Sequence, residues 1–238
     1  MIIDDCIEKV LSKKNGYIHG YADLADAGID GIGDFSFALS IAKRLDDGII
    51  DAVADGPTPE YYRHYREVNA EIAADMQKLS DLFSQNGIIH QVVKPTTDDS
   101  DNDESYQKEI RYWFQHKTAA TRAALGWIGR TGLLVTKKYG PRVRLATILL
   151  DYPLQITQSP VDESSCGSCM QCVESCPAHA ATGASWKKGM SRDELFDAFK
   201  CREKCRALTL SRVGVHESIC GICVSVCPHG RRKQKSGD

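Results

Sequence analysis

Apolar residues recur three or four apart at Tyr61, Tyr65, Val68, Ile72, Met76, Leu79 and Phe83, a spacing that puts them on one face of a long helix. Thr58 and Pro59 mark its start, since proline in the first turn lacks only an N–H that has no intrahelical partner, and Gly87 marks its end. Phe35 to Ser40, Ile88 to Val93 and Val143 to Leu150 are runs of branched and aromatic residues that predict strands, with Leu133 to Thr136 as another short one. Near the start, Ile3, Ile7, Val10 and Leu11 repeat with an apolar period on which Cys6 reads as a packed thiol. Gly28, Gly31 and Gly33 precede a strand instead of following one, so they predict a turn and not a nucleotide loop. The acidic stretch Thr96 to Glu104 predicts a solvated loop. Helices interleaved with strands point to an α/β or α+β class with one main sheet, and periodicity does not separate the two.

The chain has 238 residues, 42% hydrophobic and 26% charged, enough for a large domain or for a medium one with a small one attached. Its formal net charge of -2 excludes a global positive field that would draw it to nucleic acid or anionic lipid. Arg231, Arg232, Lys233 and Lys235 form a basic run that reads as a solvated terminus. The first residues turn acidic at once and no apolar run reaches membrane-spanning length, so the expectation is a cytoplasmic protein with no membrane partner.

Nine of the ten cysteines fall between Cys166 and Cys227, and their spacing changes the picture. Cys166, Cys169, Cys172 and Cys176, followed by Pro177, spell C-x2-C-x2-C-x3-C-P, the ligand run of a bacterial [4Fe-4S] ferredoxin. Cys220, Cys223 and Cys227 with Pro228 repeat its last three positions, with Glu217 where the first would stand. In such runs three thiolates wrap one cubane and the fourth reaches the other. Cluster one would then take Cys166, Cys169, Cys172 and Cys227, and cluster two Cys176, Cys220, Cys223 and one more. The eighth ligand is Cys201 or Cys205, which follow a helix signalled by the Ser191–Glu194 capping box and by Leu195, Phe196 and Phe199; spacing does not choose between them. Zinc is the alternative metal, since C-x2-C pairs also build four-thiolate sites.

The stretch from Ala123 through Gly126, Trp127, Ile128, Gly129, Arg130 and Thr131 to Leu134, then Leu145 to Leu154, then the first cysteine run, resembles the epoxyqueuosine reductase family from about Thr118 to Pro228. The resemblance implies an α+β fold, an α/β sandwich. A nitroreductase-like domain over residues 1–157 would hold cobalamin, and a double [4Fe-4S] ferredoxin-like domain over 158–238 would pass it electrons one at a time. It also implies that Gly126, Trp127, Ile128, Gly129, Arg130 and Thr131 line the corrinoid pocket. The family's upstream ligand precedes a short Leu-Thr segment, here Leu208-Thr209, which favours Cys205. Without the family, Trp127 and its glycines would be a tight helix-to-strand turn with a packed indole.

Two departures bear on catalysis. The family's acidic proton donor stands about sixteen residues before its Gly-Trp-Ile-Gly, a count that lands here on Ile110, beside Glu109. The family's helical-repeat domain, which helps hold tRNA, has no counterpart before Asp238, so tRNA is not the expected substrate. Three functions follow: a cobalamin-dependent reductase of a small molecule, an electron-transfer protein or corrinoid reductase serving a partner, and a variant that binds FMN. A ferredoxin or flavodoxin would be the low-potential donor in each. No catalytic residue is assigned; His116, Tyr61, Tyr62 and His64 are the proton-bearing side chains to inspect.

Overall fold

The computed structural model describes residues 2–11, 16–29, 31–95 and 104–231. The expected loop from Thr96 and most of the basic tail lie outside them. In chain order the elements are α1 (Ile2–Leu11), β1 (Tyr17–Asp23), β2 (Phe37–Arg44), α2 (Asp47–Asp51), α3 (Pro59–Gln85), β3 (Ile89–Val93), α4 (Glu104–Glu109) and α5 (His116–Arg122). They continue with β4 (Gly126–Ile128), β5 (Leu134–Thr136), β6 (Val143–Asp151), α6 (Gln171–Glu174), α7 (Arg192–Leu195), α8 (Ala198–Val213) and α9 (Ile222–Ser225).

Two compact units form from segments that alternate along the chain. The first comprises residues 1–45, 63–125 and 144–162, the second 46–62, 126–143 and 163–238. The first unit is built on a sheet of order β1-β2-β6-β3, with β1 antiparallel to β2 and β3 antiparallel to β6. Antiparallel pairs in a sheet with helices against it make this an α+β fold. Ala38 to Ala42 on β2 and Ala146 to Leu150 on β6 are buried at every position, because both strands lie inside the sheet and both faces are covered.

The long helix holds as the sequence predicts: Val68, Ile72, Met76, Leu79 and Phe83 are buried on its inner face. Gly87 ends it with φ 70°, a left-handed conformation that costs a glycine little. Polar ties flank that core: Tyr17 donates to the buried Asp75 at 2.8 Å, and Arg144 donates to Asn69 and Tyr65 at 2.9 and 3.0 Å. Gly28, Gly31 and Gly33 all have positive φ and lead into β2, a turn as expected.

The second unit holds the cysteines together with a hairpin, β4–β5, in which Trp127 faces Val135 across the strands. The Gly129 N–H bonds Leu133 O and the Gly132 N–H bonds Gly129 O, so Arg130 and Thr131 form the tip of a strand-to-strand turn, not a helix-to-strand one. Behind it, Gly140 and Gly230 cross so closely that a Cβ on either would stand about 2 Å from the other strand's carbonyl oxygen. Only glycine permits that crossing, which locks the hairpin to the segment after Cys227.

One helix expectation needs correcting. The capping box forms, with Glu194 accepting from the Ser191 N–H, but that helix stops at Leu195. Phe196 is extended, and Asp197 starts a new helix by accepting from the N–H groups of Phe199 and Lys200 at 3.0 Å. Cys201 and Cys205 therefore lie one turn apart within α8, not beyond a helix.

Candidate iron–sulfur centre

Eight of the second unit's cysteines fall in two neighbourhoods. Cys227, at the end of α9, has its pKa raised to about 11, first by burial and further by the charges of Cys172, Cys166 and Cys169. Cys172, on α6, is raised by burial and then by Cys166 and Cys169. Cys172 and Cys227 are thus disfavoured as thiolates by the same two neighbours, a donor set that suits a cationic iron core.

In the other neighbourhood, Cys205 is buried and its pKa is pushed up by hydrogen bonds with the sulfurs of Cys201 and Cys220. Its partner Cys220 is pulled down to about 7 by the same bond. Cys223 is raised by burial and by the charges of Cys220, Cys201 and Cys172. The Cys201 and Cys205 sulfurs stand 3.9 Å apart, so both candidates for the eighth ligand face the second group. The Cys205 turn is fastened on the Cys220 side: the Thr209 hydroxyl lies 2.8 Å from Cys205 O and 2.6 Å from Ile219 O, fixing α8 beside Cys220. Cys176 closes α6, its N–H on Val173 O. Among the described residues, no three His, Cys, Asp or Glu side chains gather as a site for a single metal ion; a cubane spreads its thiolates more widely than one ion does.

The Gly126–Thr131 turn lies against these loops. Gly126 to Arg130 are buried, and Thr131 is half-buried. The indole N–H of Trp127 donates to Cys166 Sγ at 3.3 Å. The buried Arg130 guanidinium donates to three carbonyls, of Cys169 at 2.9 Å, Gly167 at 2.6 Å and Gly183. Nothing in the cysteine spacing signals this use of Arg130. The same is true of Arg142, which is buried and reaches Asp51 on α2 at 2.6 Å and Ser225 O on α9 at 3.4 Å.

The proton-bearing candidates take ordinary structural roles. Tyr62 donates to Glu217, the residue standing in place of the second run's first cysteine, at 2.9 Å. Tyr61 is buried against Gly221, and His64 is half-buried on α3. Glu109 is exposed at the end of α4, and Ile110 has φ 50°, a left-handed conformation strained for a β-branched residue.

His116 sits in the first unit with both ring nitrogens engaged, Nε2 on Lys94 O and Nδ1 on Thr147 Oγ1, each at 2.9 Å. The carbonyl must accept, so Nε2 carries a proton, and in the neutral ring Nδ1 accepts from the Thr147 hydroxyl. Desolvation lowers its pKa from 6.5 to about 4. An unfolded chain binds a proton there that the folded one refuses, so this contribution to stability is complete above about pH 6.5 and drains as pH falls toward 4. Unfolding free energies from urea titrations at pH 7.5 and pH 5 should differ more for the wild type than for His116→Asn, by about 1–2 kcal/mol. Equal differences in the two proteins would refute a desolvated neutral histidine at this position.

The fold and the gathered thiols define a double-cluster iron–sulfur protein, and comparison with known sequences agrees. The family described as "4Fe-4S double cluster binding domain" matches residues 165–230. Over 120 residues the chain is 35% identical to an epoxyqueuosine reductase of Cyclobacterium marinum, covering 47% of this chain and 36% of that one. Over 116 residues it is 31% identical to the tetrachloroethene reductive dehalogenase of Sulfurospirillum multivorans, covering 46% and 22%. The chain spans about a third of the length of the curated relatives it matches. Among solved structures, a reductive dehalogenase described in terms of B12-dependent dehalogenation superposes with a TM-score of 0.66 at 16% identity, covering 92% of this chain and 30% of that one. An epoxyqueuosine reductase holding a modified tRNA stem loop gives 0.57 at 16%, covering 95% and 64%. Residues 165–230 thus form a 4Fe-4S double cluster binding domain, in a chain similar to epoxyqueuosine reductases over about half of its length.

Proposed function

We propose that this chain is an iron–sulfur reductase in which two [4Fe-4S] clusters deliver electrons singly to an acceptor. Cys166, Cys169, Cys172 and Cys227 would hold the first cluster, and Cys176, Cys205, Cys220 and Cys223 the second. The observation that carries this reading is Cys227 lying among the thiols of the first run, as ligand crossover between two cubanes requires. A cytoplasmic ferredoxin or flavodoxin is the class of donor that such low-potential clusters need.

Cobalamin reducing a small substrate is the acceptor chemistry that the B12-dependent dehalogenase relative favours. The turn expected to line it nevertheless gives the side chains of Trp127 and Arg130 to the cysteine loops. The polar atoms of both side chains are thereby taken up by the second unit's own loops. The same observation favours a second reading, an electron-transfer protein whose acceptor is held by a partner.

Anaerobic purification with hydroxocobalamin, followed by iron and cobalt counts on the desalted protein, separates the two. About eight irons with one cobalt per chain support the cobalamin reductase, and about eight irons without cobalt support the carrier. Zinc in place of iron overturns both.

A further inference from the structure

The hairpin turn that resembles a cofactor-binding segment makes its best-defined side-chain contact with a sulfur. Trp127 is held on β4 opposite Val135, is only 7% exposed, and aims its single polar atom at Cys166 Sγ, 3.3 Å away. The other side of the indole meets the His229 ring edge-on, with centroids 5.1 Å apart at 85°. His229 follows Cys227 by two residues, and its backbone N–H bonds the Cys227 sulfur. The indole thus touches the first thiol of one group and the ring of a residue whose backbone N–H bonds the last. Gly129 keeps the approach open, because a Cβ there would press to 2.9 Å on Val135 and stand 3.8 Å from Cys166 Sγ.

We propose that Trp127 is a positioning residue for the redox chemistry: its indole N–H hydrogen-bonds the Cys166 thiolate and raises the reduction potential of the cluster which that thiolate ligates. An N–H donor withdraws charge from a cluster sulfur and favours the more negative, reduced state. The bond is dry and rigid, so water does not replace it at no cost when it is lost. Thr131, at the tip of the same turn, bonds the Cys223 sulfur of the other group. One turn therefore addresses each cluster through a different donor. This inference rests on the double-cluster reading above.

The test is an EPR-monitored redox titration of the anaerobically purified chain, wild type against Trp127→Phe, with iron counted in both. The variant should keep its iron, with one of two midpoint potentials moved negative and the other in place. Full iron with both potentials unmoved overturns the proposal. Should Trp127→Phe lose iron, ENDOR on the reduced wild-type chain with 15N-indole tryptophan decides. A 15N coupling that persists when Trp113 and Trp186 are replaced by phenylalanine supports the bond, and its absence overturns it. Cys166→Ala keeps the two failures apart: full iron in that variant removes Cys166 from the cluster and sinks the ligand assignment itself.

Discussion

Cys169→Ala is expected to cost the chain at least half of its iron, from about eight atoms to about four or fewer, and to destabilise the second unit as a whole. Helices α6, α7 and α9 of that unit are four residues each, and α6 has no buried side chain. Short helices of this kind do not persist unless something fixes their ends, and the proposed ligation by Cys172 and Cys227 would tie α6 to the segment just after α9. Arg130 grips the Cys169 carbonyl, but a hydrogen bond to a loop cannot replace a metal–thiolate link. Cys220→Ala should behave alike at the other cluster. Full iron with an unchanged reduced-state spectrum in either variant would contradict the ligand assignment.

The second large effect is a contrast between two thiols on one helix. Cys205→Ser is expected to lose the second cluster, with iron falling to about four per chain, while Cys201→Ser keeps about eight. Both sulfurs face Cys220, so proximity does not separate them. The difference lies in support. Thr209 ties the Cys205 turn to Ile219 through two short hydrogen bonds, which sets Cys205 and Cys220 at a fixed separation, whereas Cys201 is one turn nearer the helix start and half-buried. The reverse outcome, with Cys201→Ser losing iron, would assign the ligand to the other thiol. Retained iron in both single variants and loss in the double would mean that the two substitute for each other.

The parts of this protein that were legible in its sequence are those whose physics is local. The apolar period of α3 and the branched runs of β3 and β6 are imposed by one-sided or two-sided burial, and each appeared within a residue or two of its expected place. The strand expected from Phe35 begins at Phe37 and runs on to Arg44, because the pairing with β1 extends to Tyr17 opposite Lys43. That partner strand escaped notice, since His19 and Gly20 interrupt any alternation along it. The cysteine runs were plain because cubane ligation demands a fixed spacing. The role of the Gly126–Thr131 turn was not, because what Trp127 and Arg130 touch lies roughly forty residues further on, a separation that no local pattern encodes. The break at Phe196 was equally hidden: Asp197 can sit inside a helix or cap one, and only the tertiary context selects the cap.

The central claim is that two cubanes share eight of these nine cysteines, with ligands crossing between the runs. Mössbauer spectroscopy of 57Fe-grown, anaerobically purified protein tests it most directly. The account predicts about eight irons per chain, all in [4Fe-4S] form, with Cys227→Ala altering the cluster that the first cysteine run builds and leaving the other intact. A spectrum with about four irons per chain, or one in which Cys227→Ala disturbs only the cluster built on Cys220 and Cys223, would contradict it.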